Sequence, residues 1–536
     1  MTGFIDVLLR TLILAAQAMV VGGVAFALWT LRPPLTRGAD LARVWTLVAA
    51  GAGALVAAQL LSALTQIVAL DGTARLPDLV TTSYFRVSAA RVATGLCVLG
   101  AALALRRGAA TAARGAATAA RGAATAARGA GVPARAIAVA SAVALALLAP
   151  WTSHAAARVG GRWPLLLLDA IHQIAAWIWI GGLASLVVVA ARGGAQAWPA
   201  ALLGRFSALA LTSVCVLVLA GGGLSYAYID GLGALVGTAY GVMVLTKAVL
   251  LGVLLLLGAL NFFVVRRLAR GGGAPLRLRR FVEVELGLGL TVLGAAASLT
   301  SLPPAVDVVA DRAAFAEVAG RFVPRWPTLS SPPLSELPVD DRNAPRTDAD
   351  RAWSEYNHHW SGLFVLTMGV LALLHQTGRA RWARHWPLIF LGLAAFLFFR
   401  SDPGSWPIGP VGFWESMLFP EVLQHRFFLA LVVVFGIFEW RVRTGRLTSP
   451  AYALVFPLLC AVGGGMLLTH SHASLNLKAE FLIEVTHAPL GVFGLVVGWG
   501  RWLELRLAPA EDRLPARLWA GALVAVGLLL VLYRES

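Results

Sequence analysis

The chain has 536 residues, of which 58% are hydrophobic and only 13% charged, where soluble domains carry about 25% charged residues. That balance excludes a soluble globule. A formal charge of +17 could suit nucleic acid, but the arginines lie in short loops between apolar stretches. That pattern orients membrane proteins, so nucleic-acid binding is not expected.

Stretches apolar enough to cross a bilayer follow one another along the chain at 5–31, 44–70, 84–105, 136–151, 165–191, 206–229, 240–265 and 282–302. After a polar interval come 359–376, 386–399, 421–440, 450–469, 481–500 and 516–533. They predict an all-α polytopic membrane helical bundle of about 14 transmembrane helices in two related halves, each crossing needing roughly 20 residues. Residues 1–302 form a first membrane domain of about eight helices, 303–357 a linker, and 358–536 a second domain of about six helices. The first stretch reads as a span and not as a cleaved signal, since many spans follow it. The stretch 386–399 is short enough for a re-entrant piece. Cys97, Cys215 and Cys460 lie singly in apolar segments, so neither a disulfide framework nor a thiolate cluster is expected.

Charge orients the bundle. Alternate loops, from Arg32–Arg43 through Arg106–Arg135 and Arg266–Arg280 to Arg501–Arg517, hold more than half of the 44 Lys and Arg. The positive-inside rule makes their side cytoplasmic and leaves both termini outside. Residues 303–357, with nine acidic and six basic side chains and many prolines, form the long external segment. Residues 108–128 repeat Gly-Ala-Ala-Thr-Ala-Ala-Arg three times. The repeat is either a low-complexity insert or a basic stripe for anionic headgroups.

Eight of the ten histidines then face outward, and they recur in two similar sets. Ser153-His154-Ala155 is followed by Asp169 and His172, and His470-Ser471-His472-Ala473 by Glu484 and His487. In each set a helix ends in a polar turn bearing Ser-His-Ala, and the next helix carries an acid and a histidine three apart, on one face. The carboxylate is expected to accept from one imidazole nitrogen while the other faces a metal. His425 near the outer end of its span and Met466, one turn before His470, extend the second set. A thioether with imidazole suits Cu(I), and imidazole with carboxylate suits Cu(II). The candidate metal ligands are therefore His154, His172, His470, His472, His487, His425, Asp169, Glu484 and Met466. Lys247 is the lone lysine inside any span.

Blander readings stand beside these. A histidine near an aspartate inside a membrane can simply be a helix-packing hydrogen bond. His375 and His385 read as interfacial, Arg400, Asp402, Glu415 and Arg426 as an ion-pair network, and Gly221-Gly222-Gly223 as a place of close helix approach. With no nucleophile elbow, phosphate loop or HExxH, the chain is not expected to be an enzyme. Bis-histidine b-type haem is the alternative cofactor, although one histidine of each pair lies in a turn.

The stretch 204–267, with Gly204-Arg205-Phe206-Ser207, Tyr240-Gly241, Lys247 and Asn261, resembles the copper resistance protein D (CopD) family. Ser153-His154-Ala155, Asp169-x-x-His172, Trp179, Gly181 and Gly182 also look like that family. The second half, with Arg400-Ser401-Asp402-Pro403 and Glu421 to Arg426, is similar to the extension of its longer members. The resemblance implies copper homeostasis and resistance at the bacterial inner membrane, copper transport across it, and a periplasmic partner of the CopC type. Both termini would then be periplasmic. A b-type haem electron-transfer membrane protein is the runner-up reading and a non-transporting copper-delivery or assembly factor the third, and the ligand assignments rest on spacing alone.

Overall fold

The computed structural model describes residues 2–33, 35, 38–70, 76–117, 121–190, 198–269, 275–337, 347–469, 477–507 and 513–535. Among them there is no strand, and thirteen helices are long and apolar enough to cross a membrane. The expected span at 359–376 lies in a helix, Asp348–Gln376, outside that set: its apolar middle is short, with His358-His359 before it and His375-Gln376 after it. The short stretch 386–399 is lengthened by a 3₁₀ segment to Arg381–Arg400, long enough to be within the set. Side chains of the seven-residue repeat lie largely outside the described residues.

The described residues fall into two compact units, the first within 1–235 and 240–310, the second mainly within 311–468 and 477–535. In the first, α1 (Thr2–Ala25), α2 (Gly38–Ala69), α3 (Ser83–Ala117), α4 (Arg121–Leu148), α5 (Arg162–Ala190), α6 (Ala200–Tyr228), α7 (Ala239–Ala269) and α8 (Pro275–Leu299) follow in order. α5 is the hub, packing on α1, α6 and α8. Lipid supplies no hydrophobic drive between helices, so close approach of small residues does the work. Gly22 of α1 meets the Trp177 carbonyl and Gly181, while Gly181 meets the Ala18 carbonyl, so tightly that neither position has room for a Cβ. Outward-facing Leu219, Leu256 and Leu167 are more than half exposed, as side chains that face acyl chains should be.

The second unit contains α9 (Asp348–Gln376), α10 (Ile389–Arg400), α11 (Pro420–Arg443), α12 (Val455–Thr469), α13 (Leu477–Glu484), α14 (His487–Arg506) and α15 (Leu514–Val531). Gly362 and Gly369 of α9 and Gly527 of α15 bring those two helices together by the same small-residue logic. Its core stacks Trp386, Phe456 and Trp519. Over that stack lies the Arg443 guanidinium, 4.7 Å from the Trp386 ring and paired with buried Glu439 at 2.7 Å.

The helical assignment is interrupted at Val485–Thr486, so Glu484 ends α13 and His487 begins α14 within one apolar stretch, Leu477–Arg506.

Candidate functional site

In the first unit, α4 ends in a 3₁₀ turn, Ala149–Thr152. Ser153 then caps a short helix, His154–Ala157, its hydroxyl accepting from the Ala155 amide at 3.3 Å. Serine is a favoured N-cap, so the Ser-His-Ala sequence itself sets His154 at the first helical position. Arg91 of α3 ties the turn down. One guanidinium nitrogen donates to the Leu148 and Ala149 carbonyls and the Thr152 hydroxyl at 3.1, 3.0 and 2.9 Å.

The His154 ring is anchored at one nitrogen. Nε2 lies 3.1 Å from the Leu299 carbonyl. A carbonyl only accepts, so Nε2 carries the hydrogen and Nδ1 holds the lone pair. Tyr228 and Tyr240 meet this ring edge-on at 6.3 and 5.9 Å.

His172 repeats the arrangement with the nitrogens exchanged. Nδ1 donates to the Leu217 carbonyl of α6 at 3.1 Å, leaving Nε2 as the basic nitrogen. The ring reaches α6 because Gly221 has no side chain: a Cβ there would lie 2.9 Å from His172 Cε1. The expected bond from His172 to Asp169 is absent. Asp169 instead accepts from Gln173, one turn further along α5, at 2.9 Å. A residue four positions on is well placed to reach the acid, and the imidazole has found a backbone carbonyl of its own. Each histidine therefore has the outer support that fixes a ligand's tautomer, supplied by main chain in place of carboxylate.

His154, Asp169 and His172 line one cavity of about 400 Å³ within this unit. Gln17, Gln59, Arg91, Tyr228, Tyr240 and Lys247 line it too. Lys247 acts electrostatically on both Asp169 and His172. Among the described residues Gln17 Nε2, Gln59 Oε1, Arg91 Nε and Tyr228 Oη are buried without a protein partner, so the cavity's polar surface has hydrogen-bonding capacity to offer. Spacing arguments centred on histidine missed Gln17 and Gln59. Their signal was present: an amide inside an apolar span is costly unless it meets a partner or a ligand.

In the second unit His470 and His472 lie outside the described residues, so the Ser-His-Ala turn of that half has no described geometry. His487 Nδ1 donates to the Ile483 carbonyl at 3.0 Å, one turn back. Its described aromatic neighbours are His358, 6.1 Å away between ring centroids, and Tyr533 at 5.7 Å. His358 stacks on Tyr533 at 3.8 Å. His359 Nε2 donates to the Tyr533 carbonyl at 2.9 Å, and Glu535 accepts from the Ser354 and Tyr533 hydroxyls at 2.6 and 2.8 Å. The partner of the His358-His359 pair is thus the C-terminal segment.

His425 is not gathered with those rings. It pairs with Asp402 at 2.7 Å, and Arg426 lies 3.8 Å from the same carboxylate. Arg400, expected in that network, sits over the rings of Trp353 and Tyr356 instead, 5.7 Å from each. Burial raises the Asp402 carboxyl, but His425, Ser401 and Arg426 outweigh it and hold the group below the usual carboxylate range. Met466 is half-buried in α12, and its expected neighbour His470 lies outside the described residues. Among the described residues no three His, Cys, Asp or Glu side chains converge on one metal position. The first-unit donors are spread along a cavity.

Residues 200–299, which form α6, α7 and α8, match the family described as Copper resistance protein D. Over 164 residues the chain is 35% identical to the copper transport protein CutJ of Bacillus subtilis (strain 168). That match covers 30% of this chain and 29% of the relative, so the chain spans less than a third of the length of the curated protein it matches. No solved structure matches the chain.

Proposed function

We propose that this multi-pass membrane protein, a member of the copper resistance protein D family through residues 200–299, passes copper across the membrane by way of the first-unit cavity. One observation carries the reading. Two imidazoles, His154 and His172, are each locked by a backbone carbonyl at one nitrogen and line the same cavity, three of whose walls come from the family segment. Imidazole is a good copper donor, and a locked tautomer is what a metal-binding histidine needs. Asp169 adds a carboxylate beside them.

Donors strung along a cavity suit an ion that must enter and leave. Lys247 lines the same cavity; when protonated it opposes a cation's charge and shortens its stay, and an ionised Asp169 offsets part of that repulsion. The remaining spacing-based ligands, His425, Met466, Glu484, His487, His470 and His472, belong to this proposal only as a second station. His487 beside His358 is the described part of it. The same reading places the chain in a bacterial inner membrane with periplasmic termini, gives it a CopC-type periplasmic copper donor, and assigns it no enzymatic step.

The test is copper uptake by liposomes carrying the purified chain, with internal metal measured after washing. Wild type accumulates copper above protein-free liposomes, and the His154→Ala/His172→Ala double variant loses at least tenfold of that excess. Equal uptake by wild type and empty liposomes defeats the transport reading. A sharp reduced-haem band in the purified protein would point to the haem alternative.

A further inference from the structure

Beyond the cavity, α7 and α8 hold a polar pair that copper binding does not use. Leu251 and Leu254 of α7 and Gly289 and Leu293 of α8 line the cavity. Positions three and four apart share a helix face. Continuing on those faces toward the arginine-rich ends of both helices, the next residues are Gly258 and Asn261 on α7 and Glu285 on α8. Asn261 Nδ2 donates to Glu285 Oε1 at 2.5 Å. Glu285 is 4% and Asn261 7% exposed, and Asn261 Oδ1 is buried with no partner among the described residues. Space remains beside the pair, since the nearest atom to a Cβ built on Gly258 would be Glu285 Oε1, at 4.0 Å.

Among the described residues no protein cation faces this carboxylate. On α8, Arg279 and Arg280 lie 3.6 and 2.5 Å from Glu283, and Arg277 sits over the Phe281 ring. On α7, Arg266 sits over Phe262, Arg267 is exposed, and Lys247 is up in the cavity. The helices that pack most extensively on α8 are α1 and α5. α1 carries Asp6 and Arg10, which pair with each other, Arg10 also bonding Thr300 at the far end of the bundle. α5 carries Asp169 and His172, both in the cavity. Asn261 is the side chain that acts on Glu285.

An acid inside a bilayer with no protein cation beside it takes its positive charge from solution. With no imidazole or thioether beside them, a carboxylate and an amide oxygen are hard donors that suit Cu(I) poorly; a proton suits them. We propose that Glu285 is an exchangeable-proton site that couples copper passage through the cavity to proton movement the other way. The step balances simply. The Glu285 O–H bond breaks, the proton leaves to water on one side, and the carboxylate left behind draws the copper cation down the cavity. When the ion departs, a proton from water restores the acid. This proposal rests on the copper-transport reading.

The experiment uses the full chain in liposomes with reduced copper and an imposed pH gradient of either sign. One proton exchanged per monovalent copper ion sustains a copper ratio of about tenfold per pH unit. Glu285→Gln, which keeps the shape but releases no proton, still passes copper down its own gradient and loses the pH-driven accumulation. Glu285→Asp restores it. Asn261→Ala moves the midpoint of the flux–pH profile, which a purely structural role would leave in place. Wild type that moves no copper under any gradient overturns the transport reading and this one with it. Wild-type copper flux indifferent to pH overturns the proton site alone, whether or not the Gln variant folds. pH-driven accumulation retained by Glu285→Gln does the same.

Discussion

Gly221→Ala, set against Gly222→Ala, separates a histidine held for a metal from one that merely packs. Both glycines lie in the middle of α6, so both substitutions gain the same helix propensity, about 0.8–1 kcal/mol. At Gly222 a Cβ meets nothing within 4 Å. At Gly221 it meets His172 Cε1 at 2.9 Å and Nδ1 at 3.2 Å, so the ring must shift away from α6. That lengthens the 3.1 Å bond from Nδ1 to the Leu217 carbonyl. Losing it costs about 1 kcal/mol, and the overpacking adds about 1–3 kcal/mol. More telling is the metal. Removing an outer support of a ligating histidine weakens metal affinity about 10- to 100-fold. Copper binding to the purified variants, measured by competition with a chromogenic chelator, should fall by that factor in Gly221→Ala and hold at the wild-type value in Gly222→Ala. Equal copper affinity in the two variants, with both folded, would refute the idea that His172 is positioned as a donor.

Three further outcomes follow from the same geometry. Gly181→Ala drives a Cβ into the Ala18 carbonyl and should separate α1 from α5, lowering the melting temperature in detergent far more than Gly53→Ala, where a Cβ meets nothing within 4 Å. Arg443→Met leaves buried Glu439 without its 2.7 Å partner and should cost about 3–5 kcal/mol, with Glu439→Gln/Arg443→Met recovering part of the loss in the same melt. Because the Asp402 carboxyl is held below its unfolded value, its contribution is fully present above the unfolded pKa of about 3.9 and is lost as pH falls through the lower folded value. His425 is half exposed, so the contribution is only about 1 kcal/mol. Asp402→Asn should therefore lower stability at pH 6 and flatten its decline in acid, as read by melts across pH.

The helices were legible because membrane crossings announce themselves in length and hydropathy. The first histidine set was legible because an ionisable residue inside a span needs a reason. The partners of those residues were not legible. Nothing in the spacing of Asp169 and His172 says that Gly221, on the next helix, leaves the gap through which the imidazole reaches the Leu217 carbonyl. Main-chain acceptors are present at every position and carry no sequence signal. The union of His358-His359 with Tyr533 joins residues about 175 positions apart, a pairing that no local pattern contains. The interruption between Glu484 and His487 did leave a sign in the sequence: Pro489 has no N–H to give the Val485 carbonyl four residues back, and its ring crowds that carbonyl.

Copper K-edge X-ray absorption on the purified, copper-loaded chain tests the central claim most directly. The account predicts nearest-neighbour nitrogen scattering with the outer-shell pattern of imidazole in wild type, and loss of that pattern together with most of the bound copper in His154→Ala/His172→Ala. Copper retained in full by the folded double variant with its imidazole scattering intact, or no copper bound by wild type, would contradict it.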